Sequence, residues 1–299
     1  MFFSKKIEDT RSKVYVDPTY ATNGSGSITD PKNTFVGLTL QSNTIYLLKR
    51  GTTYTSSSAI LLSSLTNTKL DTYGDSEVKP SFEYTSLVYQ GYAIRFNSCT
   101  SCVLNGWDIT STQICLAGVR VDSGSYNIIN NCKIHDIPGN GTTIYSGMGI
   151  RGGGTSLRIL NCEICYISTD GMYISTTTNL EIGYCNIHHV NQYYAINPDQ
   201  SYSSGDGIQI DGLWSNFYIH HNIIDRSDTN TGNKFCLILN SAAGTNDNSS
   251  GIVEYNTFKT NSNCSTQLYI EQGNGIITRY NIFKGVTGAV RVTGVTTKN

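Results

Sequence analysis

Two strings in this chain are near copies, STDGMYIST at 168–176 and SGDGIQIDG at 204–212. Each sets an aspartate before a glycine and a short apolar–polar alternation. If the two stack as neighbouring strands, Asp170 and Asp206 bring their carboxylates to within about 5–6 Å of each other. Two carboxylates that close cannot both ionise at their ordinary pKa, so one keeps its proton near neutral pH. Such a pair suits general acid–base work on a glycosidic bond. The same residues have a second reading, because Asp-Gly ahead of a strand is ordinary turn chemistry in which the aspartate bonds backbone. Asp211 and Glu271 fall in mid-strand positions, where the turn reading applies less.

A second set of reactive side chains is basic. Arg95, Arg120 and Arg151 hold the same place in YAIRF, AGVRV and GMGIRG. Tyr173, Gln209, Ile238, Tyr269 and Arg291 continue the row. Two residues further on, a parallel row reads Asn97, Asp122, Gly153, Ser175, Asp211, Asn240, Glu271 and Thr293. Three guanidinium groups roughly 5 Å apart repel one another. Either a local carboxylate such as Asp122 neutralises them, or they await carboxylates or sulfates spaced along a polymer, groups that arginine binds in bidentate fashion.

Those rows require an element that returns to the same place again and again. The apolar residue just before each member of the first row is Ile94, Val119, Ile150, Met172, Ile208, Leu237, Leu268 or Val290. Between these strands runs a second series, NGWDI, NCKIH, NCEIC, YCNIH, HNIID, YNTFK and YNIFK, anchored at Ile109, Ile134, Ile164, Ile187, Ile224, Phe258 and Phe283. Five residues earlier stand Leu104, Ile129, Ile159, Ile182, Ile219, Val253 and Thr278. Length variation collects mainly in one connection per repeat, as in a solenoid. Strands this short must pair with their equivalents in the next repeat, which makes parallel sheets in which like stacks on like. The Cys132–Cys162–Cys185 run then reads as an inward ladder of reduced thiols. Asn222–Asn256–Asn281 reads as an inward ladder of amides that bond each other or turn backbone.

Composition narrows the function classes. The chain has 299 residues, 14% of them charged, and a formal net charge of -1. That excludes a nucleic-acid partner held on a basic surface. No apolar run is long enough for a transmembrane helix, so no membrane partner is expected. The N-terminal MFFSKKIEDTRSK lacks the apolar core of a secretory signal, and carriage outside the cell on a virion is one alternative route. Nine cysteines is an odd number, and the spacings Cys99/Cys102 and Cys162/Cys165 also fit a zinc or redox pair. All five histidines, His135, His188, His189, His220 and His221, lie in the repeats. Their spacing argues against a metal cluster, and His135, His188 and His220 are expected to face outward. The two longest loops, 135–149 and 188–207, run into the row-bearing strands, and the second carries Tyr193, Tyr194 and Tyr202, rings that can stack on sugars.

On these repeats, and on YVDPTYATNGSGSITDPKNTF, TIYLLKRGTTYT and LDTYGDSEVKP, the chain resembles the pectate-lyase-like superfamily of right-handed parallel β-helices over residues 14–299. The resemblance implies an all-β, single-domain solenoid of about eight or more coils. Residues 1–13 would be an extension, about 14–90 the entry and capping segment in which the first turns form, and about 91–299 the regular coils. It also implies a polysaccharide partner and an extracellular or virion-associated location. The activity expected first is β-elimination from an acidic polysaccharide. Arg120 and Arg151 would neutralise a substrate carboxylate; Tyr173, Tyr269 or an arginine of lowered pKa would act as base. Ca²⁺ would sit on Asp206, Asp211 and Glu271, with Arg95, Gln209, Tyr193, Tyr194, Tyr202, Tyr269 and Glu271 contacting the sugar. The row of outward residues has no lysine, a departure from many lyases of the superfamily. Hydrolysis by Asp170/Asp206 or Asp206/Asp211 is the alternative within enzymes, and a non-catalytic glycan-binding or structural β-helix is the alternative outside them. The C-terminal GAVRVTGVTTKN ends on a fresh strand, so trimerisation or a further C-terminal domain is expected to cover that edge.

Overall fold

A computed structural model describes residues 9–87, 91–139, 146–192, 205–227, 235–240, 250–262, 264–271, 275–285 and 288–293. Tyr193, Tyr194 and Tyr202 lie outside the described residues. Among the described residues, three parallel sheets of ten, nine and nine strands wrap one core, and from Thr44 onward the chain visits each sheet in turn on every coil. Among the described residues no helix is long and apolar enough to cross a membrane.

The register is the one the repeats predict. In the sheet that carries the arginine row, Ile94, Val119, Ile150, Met172, Ile208, Leu237, Leu268 and Val290 stack in one column. All but Val290 are fully buried, and Val290, in the last coil, is 43% exposed. The anchors Ile109 to Phe283 stack likewise in the second sheet. Leu104 to Thr278 stack in the third. Coils begin before the first repeat at Ile94, within the stretch TIYLLKRGTTYT. Thr44–Lys49, Thr53–Ser56 and Ile60–Ser63 already place one strand in each sheet, and Ile60 extends the first column.

Polar ladders close the corners. All nine cysteines are free and buried, and the thiols of Cys132, Cys162 and Cys185 each donate to a carbonyl two residues back. Burial pushes the Cys132 thiol well above its ordinary pKa, so it stays protonated. Above Cys185 the ladder changes to amides. Asn222 Oδ1 accepts the Cys185 N–H, Asn256 Oδ1 accepts that of Asn222, and Asn281 Oδ1 accepts that of Asn256, each at 2.9 Å. The residue before each ladder member turns the chain through positive φ. It is Asn131 and Asn161 in early coils, then Tyr184, His221, Tyr255 and Tyr280. That conformation is strained for a ring-bearing residue. Here the rings stack face to face along the edge, with centroids 4.9, 5.0 and 5.0 Å apart, and stacking offsets part of the strain.

Candidate functional site

Alternation along a strand decides which reactive residues reach solvent. Arg95, Arg120, Arg151, Tyr173, Gln209, Ile238, Tyr269 and Arg291 stack in one row on the outer face, as their spacing requires. Asp211 stands on the same face two residues beyond Gln209, beside Ser175 of the previous coil.

Within this row the charges are organised in pairs. Asp122 takes Arg95 Nε on one carboxylate oxygen and Arg120 Nε on the other, at 2.5 and 2.6 Å. Both guanidinium groups lie over the Tyr92 ring, 5.1 and 5.6 Å from its centroid. Burial works against the Arg95 charge, but the bond and charge of Asp122, together with Tyr92, outweigh it, so the Arg95 pKa rises. Arg95 is therefore not the arginine of lowered pKa that base catalysis calls for. Arg151 lies over the Tyr173 ring at 5.7 Å. The Tyr173 hydroxyl donates to Asp211 Oδ2 at 2.6 Å, and Asp211 Oδ1 accepts the Gly212 N–H at 2.8 Å. Arg151, Tyr173 and Asp211 thus form a chain of contacts across three coils.

Beside that chain opens a cleft of about 780 Å³, within the range of small-molecule sites. Arg120, Asp122 and Arg151 line it, with Ser175–Thr178 and Leu213–Ser215 on the far side. Tyr173 and Asp211 stand next to it, linked through Arg151. Its floor is Gly152–Gly154, a position where other coils carry side chains. A Cβ on Gly153 would fall on the Ser175 carbonyl oxygen, and one on Gly152 on that of Val121. The far wall is raised by two bulges in successive coils, between Ile174 and Thr177 and then between Asp211 and Trp214. Each inserts one residue, widens the corner, and leaves Leu213 exposed at the lip. RGGGT was the available signal for this cleft, which strand alternation alone does not reveal. Gly153→Ala is expected to cost about 1–3 kcal/mol through overpacking, read as a lower urea midpoint.

The aspartates of the two DG strings do other work. Asp170 and Asp206 are 2% and 3% exposed. Each sits two residues before an inward residue, Met172 or Ile208, so the alternation turns it inward as well. Asp170 Oδ1 accepts the Asp206 N–H at 2.7 Å, and Asp206 Oδ1 accepts the Phe235 N–H at 2.8 Å. Buried Arg226 lies 3.8 Å from Asp206 Oδ1. The turn reading therefore describes both residues, and the assignment of Asp206 to catalysis or to a metal is corrected. Asp206, Asp211 and Glu271 do not fit one Ca²⁺ ion. Asp206 and Asp211 point to opposite faces of their sheet, and Glu271 lies two strands beyond Asp211, roughly 10 Å away. Gln209 and Glu271 remain partly exposed on the outer face. Tyr269 is partly covered by Phe235, with centroids 4.8 Å apart, and its hydroxyl meets Thr293 Oγ1 at 3.0 Å.

His135, His188 and His220 face outward, as expected, but are held by their neighbours. His220 faces outward but is covered by Tyr218, stacked at 4.0 Å, and by the edge of Tyr184. Burial lowers its pKa, with a nearby Glu181 carboxylate opposing. His135 is held by Asp108 at 2.7 Å and Asp136 at 2.5 Å, bonds that raise its pKa against burial.

A family profile described as a right handed beta helix region matches residues 71–197 and 146–299. No curated protein sequence matches the chain. Among solved structures, pectate lyase Pel9A superposes with a TM-score of 0.61 over 97% of this chain and 79% of its own, at 14% identity. GH136 lacto-N-biosidase from Eubacterium ramulus superposes with a TM-score of 0.60 over 94% of this chain and 68% of its own, at 12% identity. At such identities the likeness is one of fold.

Proposed function

Because the chain belongs to the right-handed β-helix family, we propose that it is a polysaccharide-active protein that cleaves an acidic, uronate-containing chain by β-elimination. The observation that carries this reading is the cleft between Arg120 and Arg151, continued by the Arg151–Tyr173–Asp211 chain of contacts. Arg151 pairs with the uronate carboxylate, and Arg120, tethered at Nε by Asp122, adds positive charge beside it. Neutralising that carboxylate makes the proton on the adjacent ring carbon more acidic. Tyr173 carries the proton: its oxygen takes the ring proton as its own passes to Asp211. The freed electron pair forms the ring double bond, the glycosidic C–O bond breaks, and the departing oxygen takes a proton from water. Both fold neighbours, a pectate lyase and a lacto-N-biosidase by name, are compatible with a saccharide substrate. A substrate of this kind places the protein outside the cell or on a virion.

Hydrolysis receives less support. It needs two carboxyl groups flanking the scissile bond, whereas among the described residues the cleft is lined by a single one, Asp122, which already holds Arg95 and Arg120. Incubation with a panel of polyuronates and a neutral glucan tests the proposal. The expected result is a joint rise in reducing ends and in the ultraviolet absorbance of unsaturated uronate, on polyuronates alone. Reducing ends without that absorbance mean hydrolysis; binding without either means a non-catalytic glycan binder. Both results overturn the β-elimination reading.

A further inference from the structure

On another sheet, away from the cleft, His135, Cys165 and His188 stand one above the other on the outer face. Glu163 precedes Cys165 by two residues and so shares that face. Glu163 Oε1 lies 3.7 Å from Cys165 Sγ and 3.4 Å from His188 Nε2. The three ligand atoms all lie within 4.8 Å of one another. A tetrahedral Zn²⁺ holds sulfur at about 2.3 Å and nitrogen or oxygen at about 2.0–2.1 Å, which sets its ligand atoms roughly 3.3–3.6 Å apart. The two measured separations are close to coordinated spacing already.

Three further features suit the cluster to an ion. Cys165 differs from the ladder thiols, whose sulfurs donate to backbone carbonyls: it faces outward and meets a carboxylate, yet is fully buried by its neighbours. His188 Nδ1 lies 2.7 Å from His189 Nδ1. With the shared proton on His188, its Nε2 turns a lone pair to the cluster, the orienting contact that metal-binding imidazoles use. Glu163 and His188 keep 40% and 18% of their side chains exposed, which gives a path from solvent. Lys133 Nζ, 3.8 Å from Glu163 Oε1, supplies the counter-charge without a metal, and its half-buried stem leaves it room to swing toward solvent.

We propose that Glu163, Cys165 and His188 form a binding site for a borderline-soft divalent cation, Zn²⁺ by its chemistry, that ties the strand Glu163–Ile167 to Asn186–Val190 in the next coil. Thiolate with imidazole and carboxylate selects Zn²⁺ over Ca²⁺ or Mg²⁺. Binding exchanges the Cys165 thiol proton for the metal, no electron is transferred, and water completes the fourth position.

Chelator-treated protein titrated with Co²⁺ tests the site. The expected result is a thiolate-to-cobalt charge-transfer band that saturates at one equivalent and is bleached by Zn²⁺. Zn²⁺ should also raise the thermal midpoint, and Ca²⁺ should not. Cys165→Ser should abolish the band, whereas Cys162→Ser, which changes an inward thiol, should keep it. Glu163→Gln and His188→Gln leave the thiol in place and should weaken Co²⁺ binding roughly tenfold or more, which keeps the test informative if Cys165→Ser fails to fold. Absence of the band in the unaltered protein, its survival in Cys165→Ser, or unchanged affinity in both glutamine variants overturns the site.

Discussion

Tyr173→Phe is expected to lower kcat on an acidic polysaccharide by about 10²–10⁴-fold, the usual worth of a positioned proton-transfer group, with little change in KM. The substitution removes one oxygen. The ring that Arg151 lies over, 5.7 Å from the guanidinium carbon, remains, and so does the arginine that binds the substrate carboxylate. What disappears is the hydroxyl that donates to Asp211 Oδ2 at 2.6 Å, and with it the route for the ring proton. An interaction made only in the transition state shows itself in this way, as a loss of kcat and of kcat/KM together. Arg151→Ala should differ, raising KM as well as lowering kcat, because it removes the charge that holds the substrate in both states. A fall of less than about tenfold in kcat for Tyr173→Phe would assign proton transfer to another group.

The largest effect on stability is expected from Asn256→Ala, about 3–5 kcal/mol, summed from buried groups at roughly 1–3 kcal/mol each. Asn256 is fully buried. Its Oδ1 accepts the Asn222 backbone N–H at 2.9 Å, and its Nδ2 donates to the carbonyls of Ile219 and Glu254, each at 3.0 Å. Alanine removes all of these bonds in a place that water does not reach, and it interrupts the amide ladder between Asn222 and Asn281. Cys162→Ala, lower in the same ladder, removes one weak thiol donor and should cost far less. Urea unfolding of the two variants checks the difference, and a cost below about 1 kcal/mol for Asn256→Ala contradicts the ladder's part in holding the coils.

The parts of this molecule legible in the sequence are those that follow from strict stacking. Once Ile94, Val119, Ile150 and Met172 are taken as one column, the outward row from Arg95 to Arg291 follows from the period of two, and the structure stacks it so. The cysteine and asparagine ladders were readable for the same reason. Where the reading went astray, a second rule competed with the first. Asp206 was placed among the catalytic residues by its type, although the turn reading stood beside it for both aspartates; the same alternation, counted two residues back from Met172 and Ile208, sends Asp170 and Asp206 inward to cap the next coil's N–H. The cleft depends on an absence of side chains at Gly152–Gly154 and on two bulges, and one-residue insertions are invisible to a loose period. The Glu163–Cys165–His188 cluster joins residues from two coils. Histidine spacing alone gave no sign of it, because the residue between His135 and His188 in the row is a cysteine. The early coil from Thr44 to Ser63 carries neither ladder, so it lies outside the two series of repeats.

The most direct test of the account compares a free-acid oligouronide with its methyl ester, titrated against the unaltered protein and against Arg151→Ala. If Arg120 and Arg151 receive substrate carboxylates, the free acid should bind the unaltered protein at least about tenfold more tightly than the ester, one charge-assisted bond being worth roughly 1.5–3 kcal/mol. In Arg151→Ala most of that preference should vanish. Equal affinity for acid and ester in the unaltered protein, or a preference that survives in Arg151→Ala, would contradict it.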